Sequence, residues 1–339
     1  MKLKLCIFSA LFMSLTGNAL ADDVGIRFIS ARGKVLCGAN LYEKTYAYKD
    51  EDGYMKGFAV DLCRALSAAI FDDTERYEII DTNERNMESF LTNEKIDIMI
   101  GANALPASQD FNSKVVALSP ILYDKQTLIV KKRENAKSLK DYKGERVCTV
   151  LDSYETYNMQ KYINDYDLDL NILPFKTQSQ AKDAFFLNRC AIITGDSIYL
   201  QSLFNNSLGR KDTLEIVPEN IATKPIYAFV RKDNPKFKVT AEWIFNALKL
   251  AEDMDINSKN VDVVIGVKDD SAKNLLGDNP KLWEKYELRP TWVRKAIKNI
   301  GNYGEIYENN YGENSPYKLN NDTNKIISKG GLLTLQPFL

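Results

Sequence analysis

Carboxylates are the side chains of this chain that could do acid–base chemistry or hold a cation. Its 339 residues include 46 aspartates and glutamates and no histidine. Without histidine, the chain has no Ser-His-Asp or Cys-His nucleophile system and no histidine-based zinc or haem site. Catalysis by carboxylates alone remains open.

One acidic run begins like a calcium-binding loop. Asp165, Asp167 and Asp169 alternate in the segment DYDLD. A calcium loop would also require glycine at its sixth position and glutamate at its twelfth. Leu170 and Lys176 stand there instead. We therefore expect no metal site, and we expect no cofactor.

Cysteines offer a second kind of chemistry, disulfide formation. Once an N-terminal targeting segment is set aside, four remain: Cys37, Cys63, Cys148 and Cys190. Four cysteines in an exported chain allow three pairings. The first two lie on an early strand and the next helix, and the last two lie in later strands. This layout predicts Cys37–Cys63 and Cys148–Cys190, with four buried free thiols as the alternative.

The N-terminus, residues 1–21, has the pattern of a cleavable secretory signal. Two lysines precede an apolar run over residues 5–15, and residues 19–21 form an Ala-Leu-Ala cleavage pattern. The apolar run is too short to span a bilayer. Cys6 lies inside this run and not at the cleavage point, which disfavours a lipoprotein anchor. We expect a mature chain that begins near Asp22 and is exported to the periplasm.

The charge of the chain is almost balanced, with 45 basic and 46 acidic residues. A nucleic-acid partner would require a concentrated basic face. The only tight basic run is Lys131-Lys132-Arg133, which is better interpreted as a solvated loop. We expect no nucleic-acid partner.

Strands and helices alternate along the chain and must position these residues. Phe58, Leu62, Leu66 and Ile70 recur at helical spacing and predict one amphipathic helix. The other predicted helices are Asn83–Asn93, Tyr154–Asp165, Ser179–Leu187 and Thr240–Asp253. The predicted strands are Val35–Ala39, Tyr77–Asp81, Ile96–Ile100, Gln126–Val130, Arg146–Val150, Ala191–Thr194 and Ile226–Val230. This alternation predicts an α/β protein with mainly parallel, doubly wound sheets, and the length suits two of them.

Motifs spread over the whole mature chain resemble those of periplasmic solute-binding proteins for polar amino acids. They are CGAN at Cys37, GFAVDLCRAL at Gly57, KIDIM at Lys95, RVC at Arg146, NRCAIITGDS at Asn188 and KPIYAFVRKDNP at Lys224. The C-terminal segment GNYGEIYENNYGENSPYKL at Gly301, followed by KGG at Lys329, is similar to the extension of one branch. That branch is the general L-amino-acid-binding proteins of bacterial ABC transporters.

This resemblance implies a type II periplasmic-binding-protein fold, in which two α/β lobes are joined by a two-strand hinge and close on a ligand. It places the first lobe at 22–122 and 229–339, the latter with a C-terminal helical extension, and the second lobe at 123–228. The chain would cross between the lobes near Tyr123–Thr127 and return near Pro225–Ala228. Both predicted disulfides would then lie within one lobe and leave the hinge free.

The segment KIDIMIGANALPASQD, Lys95–Asp110, resembles the family's ligand-binding strand and loop, whose arginine binds the α-carboxylate of the ligand. Gln109 stands at that arginine position, and Met87 stands where some members carry a second arginine. Asn103 and Pro106 occupy the two threonine positions. The family's bidentate charged contact is therefore absent from this sequence.

The second-lobe part of the same site also departs from the family. The family's Q-S-G-T-T-T-E corresponds here to residues 150–156, VLDSYET. Asp152 replaces a glycine and would repel a carboxylate, and Ser153 and Tyr154 follow it. With two positive charges lost and one negative charge gained, the cleft should disfavour an ordinary α-carboxylate and tolerate a cation.

Two family positions are retained. Asp196 falls on the aspartate that binds the ligand's ammonium group, although a plain helix N-cap is the alternative interpretation. Tyr46 falls on the aromatic residue that stacks on the ligand, and an exposed loop tyrosine is the alternative. Further tyrosines could form cation–π walls or could lie at the surface: Tyr42, Tyr48, Tyr123, Tyr154 and Tyr157.

The sequence therefore predicts a periplasmic, monomeric solute-binding protein that delivers a small polar ligand to the membrane permease of an ABC importer. The expected ligand is an amino acid or a related compound that is cationic or lacks a free α-carboxylate. One alternative is a binding module that acts as a sensor or docking partner without transport. Another is an enzyme on the same fold, similar to the periplasmic cyclohexadienyl dehydratases. The lost arginines count against that enzyme, because its substrates also carry carboxylates.

Overall fold

The computed structural model describes residues 25–264 and 270–337. The predicted signal segment lies outside the described residues. The strands are β1 (Val35–Ala39), β2 (Tyr48–Lys49), β3 (Met55–Lys56), β4 (Tyr77–Asp81), β5 (Ile98–Asn103), β6 (Val115–Ala117), β7 (Leu122–Lys131), β8 (Glu145–Val150), β9 (Leu170–Phe175), β10 (Ile192–Asp196) and β11 (Leu214–Arg231). The helices are α1 (Arg27–Arg32), α2 (Phe58–Phe71), α3 (Met87–Thr92), α4 (Ala107–Asp110), α5 (Tyr154–Asp165), α6 (Gln178–Phe186), α7 (Ser197–Asn205), α8 (Pro235–Asp253), α9 (Asp270–Leu276), α10 (Pro280–Glu284), α11 (Trp292–Asn299) and α12 (Tyr303–Asn310).

Two parallel three-stranded groups form the two halves of the molecule. In the first half β1 pairs in parallel with β4 and β5, and in the second half β8 pairs in parallel with β9 and β10. The long strands β7 and β11 pair antiparallel with each other and run through both halves. The hydrogen-bonded order is β4-β1-β5-β11-β7-β10-β8-β9, with β6 on β11. The two predicted sheets are thus continuous through a two-strand connection.

Each half of the sheet is covered on both faces. In the second half, α6 and α7 pack on one face around Phe185 and Leu200, and α5 packs on the other face around Met159. In the first half, α2 and the C-terminal helices share the largest core, and α3 packs on the opposite face. The apolar residues of α2 that recur at helical spacing, Phe58, Leu62, Leu66 and Ile70, are all buried, as this spacing predicts.

The C-terminal helices are part of the first-half core. Trp283 of α10 and Trp292 of α11 are fully buried, with ring centroids 5.3 Å apart in an edge-to-face arrangement. The segment after α12 reaches back to the inter-half connection, where Asn324 bonds to the backbone of Tyr123. The extension therefore stabilises both the first half and the connecting strand β7.

Both predicted disulfides are confirmed. Cys37 of β1 is bonded to Cys63 of α2, and Cys148 of β8 is bonded to Cys190, which lies just before β10. The Cα–Cα distances are 6.2 and 5.7 Å. Each bond joins a strand to its neighbouring element within one half, so neither restrains motion between the halves.

Two kinds of feature are missing from the part of the chain that the structure describes. No helix among residues 25–264 and 270–337 combines the length and apolar character that a membrane crossing requires. No group of three or more acidic or cysteine side chains in the same ranges is placed to hold a metal ion.

Candidate ligand-binding cleft

A cleft of about 720 Å³ lies between the two halves of the sheet. The carboxyl ends of strands from both halves meet there, which is where open α/β sheets bind ligands. The first half contributes Asn40, Leu41, Tyr42, Thr45, Tyr46, Asp81, Asn83, Glu84, Arg85 and Asn103. The second half contributes Val150, Ser153, Glu155, Thr177, Gln178, Ser179, Ala181, Ile193, Thr194, Gly195, Asp196 and Tyr199.

A lysine bridges two acidic residues of the cleft wall. The Nζ atom of Lys224, on β11, lies 2.8 Å from Oε1 of Glu155 and 2.8 Å from Oδ1 of Asp196. The Lys224 side chain is 8% exposed, so this cation lies behind the wall and the two carboxylates face the cleft. Burial opposes the charged form of Lys224, but Asp196 and Glu155 outweigh it and raise its pKa.

The two carboxylates of this bridge differ in their protonation. Burial would raise the pKa of Glu155, but the adjacent Lys224 outweighs burial and the pKa is lowered. Burial raises the pKa of Asp196 to about 7 against the opposing effect of Lys224, with further raising by Asp124 and Glu155. Three acids around one lysine therefore favour a proton on Asp196 near neutral pH.

Asp196 ends β10 immediately before α7, yet its side chain makes no capping hydrogen bond. Asp196 therefore occupies the N-cap position without capping the helix through its side chain. Asp124, on β7, accepts hydrogen bonds from the Ser197 amide at 3.1 Å and from its hydroxyl at 2.5 Å, at the start of α7. Because Asp124 from the neighbouring strand β7 accepts these hydrogen bonds at the start of α7, the Asp196 carboxylate can face Lys224 and the cleft.

Tyr46 forms the aromatic part of the cleft wall. Its side chain is 8% exposed, so the exposed-loop interpretation is wrong. Gly101 of β5 has φ +92°, and a Cβ added there would lie 2.7 Å from the Tyr46 ring. The ring thus covers strand backbone at a position that only glycine permits. Burial, with the nearby Asp124 and Asp196, raises the pKa of Tyr46 well above its ordinary value.

Polar side chains of the first half line the cleft together with this ring. Nδ2 of Asn103 donates to Oε1 of Glu84 at 3.3 Å, while its Oδ1 is buried without a hydrogen-bond partner. Arg85 lines the same wall, and no carboxylate in the described part of the chain lies within ion-pair distance of its guanidinium. This wall offers an amide oxygen, carboxylates and one arginine to a polar ligand.

Residues 36–266 match the sequence profile of the bacterial extracellular solute-binding proteins, family 3. The chain belongs to this family. Since the cleft lies between the two halves of its sheet, the family's type II periplasmic-binding-protein fold accounts for both the architecture and the position of the site. The predicted fold class is confirmed.

Relatives along the whole chain support this assignment. The chain is 29% identical over 327 residues to the general L-amino acid-binding periplasmic protein AapJ of Rhizobium johnstonii, covering 95% of this chain and 94% of that protein. It is 24% identical to the glutamate/glutamine/aspartate/asparagine-binding protein BztA of Rhodobacter capsulatus, over 97% and 96% of the two chains. A periplasmic binding protein from Brucella ovis with glutathione bound has a TM-score of 0.83 and 28% identity, over 93% and 99%.

The structure brings four of the sequence-predicted ligand residues to the cleft of this solute-binding protein. Tyr46, Asn103, Ser153 and Asp196 line it. The Ser153 side chain also caps α5 by accepting a hydrogen bond from the Thr156 amide at 3.2 Å. These four residues lie on both walls of the cleft, and their contact with a ligand stays a prediction.

The other three predicted ligand residues are not among those that line the cleft. Gln109 lies in the short, fully exposed helix α4. Asp152 is exposed and has a left-handed backbone conformation, with φ +56°, in the turn that precedes Ser153. Tyr154 is 59% exposed because it begins α5, whose buried face is formed by Met159 and Ile163. Their contact with a ligand stays a prediction.

Sequence reasoning missed five charged residues of the site: Asp81, Glu84, Arg85, Glu155 and Lys224. Glu155 is adjacent to residues that we singled out, in the first turn of a predicted helix. Lys224 begins a family-like motif, and a lysine beside a proline in a predominantly apolar strand was a usable signal. Arg85 lies two positions before Met87, which occupies the family's arginine position but is buried in the core.

Proposed function

We propose that this protein captures a small polar ligand between its two lobes and delivers it to the permease of an ABC importer. The observation that carries the proposal is a cleft built by both halves at the carboxyl ends of their strands, in a chain of the solute-binding family. The intramolecular disulfides leave the two connecting strands free to bend. Closure of the lobes on the ligand would be the signal that the permease recognises.

The charges of the cleft define the proposed ligand class. Among the described lining residues, Arg85 is the only basic one. Four are acidic: Asp81, Glu84, Glu155 and Asp196. Lys224 compensates part of this charge from behind the wall. A free α-carboxylate would meet this negative wall without the family's arginine, which Gln109 replaces. We therefore propose a ligand that is cationic or lacks a free α-carboxylate.

The same proposal covers location and partners. The protein acts as a monomer in the periplasm after removal of residues 1–21, and it has no nucleic-acid partner and no enzymatic activity. Lobe one comprises 22–122 and 229–339, and lobe two comprises 123–228. The relatives named above bind amino acids or, in one case, contain glutathione, so the ligand of this chain has to be inferred from its own residues.

Matched ligand pairs test the proposed ligand class. We would measure thermal unfolding with L-arginine against agmatine and with L-lysine against cadaverine, where each pair differs by the α-carboxylate alone. Ligands that bind only the folded state raise its melting temperature by mass action. We expect the decarboxylated compounds to raise it more, because losing one bidentate charged contact costs about 2–5 kcal/mol of carboxylate affinity.

A large stabilisation by ordinary L-amino acids that is abolished by Asp196→Ala would contradict this ligand class. X-ray scattering on the same samples tests capture itself, since closure reduces the radius of gyration. A panel that produces neither stabilisation nor compaction would favour the docking-module alternative over transport.

A further inference from the structure

Lys224 occupies the position where the cleft could receive a cation. Its ammonium group lies 2.8 Å from a carboxylate oxygen of Glu155 and 2.8 Å from one of Asp196. Both acids line the cleft, and their side chains are 20% and 18% exposed. An ammonium group from a ligand would need these same oxygens.

Three separate elements hold this arrangement in place. Lys224 pairs with Asp124 in the ladder between β11 and β7, Glu155 lies in the first turn of α5, and Asp196 ends β10. The backbone oxygen of Glu155 accepts a hydrogen bond from Nε2 of Gln126, also on β7, at 2.8 Å. The Lys224 side chain is only 8% exposed, and moving its ammonium group into solvent would leave two half-buried carboxylates unpaired.

We propose that Lys224 is a specificity-determining residue that fills the cation position between Glu155 and Asp196 with the protein's own ammonium group. The proposal rests on the ligand-capturing role of the cleft and narrows the ligand class. A primary ammonium on Asp196 would be close to Lys224 and repelled by it. The cleft therefore selects a polar ligand that places no primary ammonium there, so the α-ammonium group of a zwitterionic amino acid is rejected at this position. A cationic ligand would direct its charge to Asp81 and Glu84 on the opposite wall.

Chemical rescue tests this proposal without the physiological ligand. Lys224→Ala removes the ammonium and leaves space for a small amine between two carboxylates. With ethylammonium chloride as the probe and sodium chloride as the salt control, we expect a saturable rise of at least about 3 °C in the melting temperature of this variant. The wild-type protein should show no such rise.

Two further variants test whether the rescue depends on Asp196 and on burial of the ion pair. Adding Asp196→Asn to Lys224→Ala should abolish the effect, because the amine loses one of its two anchoring carboxylates. Lys295→Ala is a matched control, since Lys295 also pairs with an aspartate at 2.7 Å but is 39% exposed. Water replaces that exposed ammonium, so ethylammonium should not stabilise the control.

Stabilisation of the wild-type protein by ethylammonium, lost in Asp196→Asn, would overturn the proposal, because Asp196 would then be open to a ligand cation. The absence of rescue in Lys224→Ala would overturn it as well. If Lys224→Ala does not fold, Lys224→Ser keeps both carboxylates beside a similar space, and the same rescue is required. These outcomes test the role of Lys224 alone. Capture of a ligand between the lobes is tested separately, by thermal unfolding with the matched ligand pairs and by X-ray scattering.

Discussion

Asp196 shows how its neighbours decide what one residue can do. Sequence similarity identifies it as an aspartate for a ligand's ammonium group, yet the structure pairs it with Lys224 and places Asp124 and Glu155 near it. The same carboxylate that would attract a free ammonium is thereby compensated from within the protein. The amino-acid type alone could not reveal this, because the partner lies on a distant strand.

The raised pKa of Asp196 predicts a pH dependence of stability. Its pKa rises from 3.8 to about 7 on folding because of burial, so the folded state binds more protons than the unfolded state between these values. The contribution of this group is fully present below pH 3.8 and is lost as pH rises through 7. We expect the free energy of unfolding of Asp196→Asn to lack this decrease. Its slope against pH should differ from that of the wild-type protein by at most about 1.4 kcal/mol per pH unit.

Urea unfolding of both proteins at intervals from pH 4.5 to 8 measures that difference. The lowered pKa of Glu155 acts in the opposite direction, since its contribution to stability is lost as pH falls, so a decrease toward high pH that is absent from the variant belongs to Asp196. Parallel pH profiles for the two proteins would show that Asp196 is not protonated in the folded state.

At the level of elements, the sequence predicts regular segments better than the strands that cross between the lobes. The predicted helix Tyr154–Asp165 and the strands Val35–Ala39 and Tyr77–Asp81 have the observed bounds, because apolar periodicity defines them. The strands β7 and β11 are much longer than predicted. They carry polar residues such as Asp124, Gln126 and Lys224, which interrupt the apolar pattern. These residues make hydrogen bonds or ion pairs at the site and between the connecting strands and the second half.

The candidate site was predictable to the extent that its contacts are local or shared with the family. Tyr46, Asn103, Ser153 and Asp196 were singled out through motifs, and all four line the cleft. The bridge from Lys224 to Glu155 joins positions 69 residues apart, and no periodicity or spacing encodes such a contact. It follows from the register of β11 beside β7, which only the folded structure supplies.

Asn324 makes the C-terminal extension part of the connection between the lobes. Its side-chain amide accepts a hydrogen bond from the Tyr123 N–H at 2.7 Å and donates one to the Tyr123 carbonyl at 2.8 Å. Asn324 is 4% exposed, so the two backbone groups have little access to water as an alternative partner. The side chain acts here like an additional strand residue at the edge of β7.

Replacing Asn324 by alanine should therefore weaken the connection. We expect Asn324→Ala to lower the free energy of unfolding by about 1–3 kcal/mol for the unpaired backbone groups. Amide exchange at Tyr123 should accelerate. Urea unfolding and hydrogen exchange measure the two effects, with the exposed Asn314→Ala as control. Unchanged exchange at Tyr123 would mean that Asn324 does not hold this strand.

For the whole molecule, the contacts divide into those within a lobe and a few between the lobes. Each disulfide lies within one half, and so do the cores, apart from Ile198 of α7, which joins the first-half core. Between the halves, Lys182 lies over the ring of Tyr42 at 5.6 Å, and Asn205 donates to the Pro316 carbonyl at 2.9 Å. Two stable bodies joined by two strands and a few polar contacts are suited to open and close around a ligand.

We propose that this cleft captures a small polar molecule that is not held by an α-carboxylate and an α-ammonium group. Native mass spectrometry of protein purified without unfolding and without added ligands tests it most directly. We predict one retained small molecule per chain, released on denaturation, whose fragmentation shows no α-amino-acid group. An ordinary α-amino acid retained at one per chain, and absent from Asp196→Asn, would contradict the account.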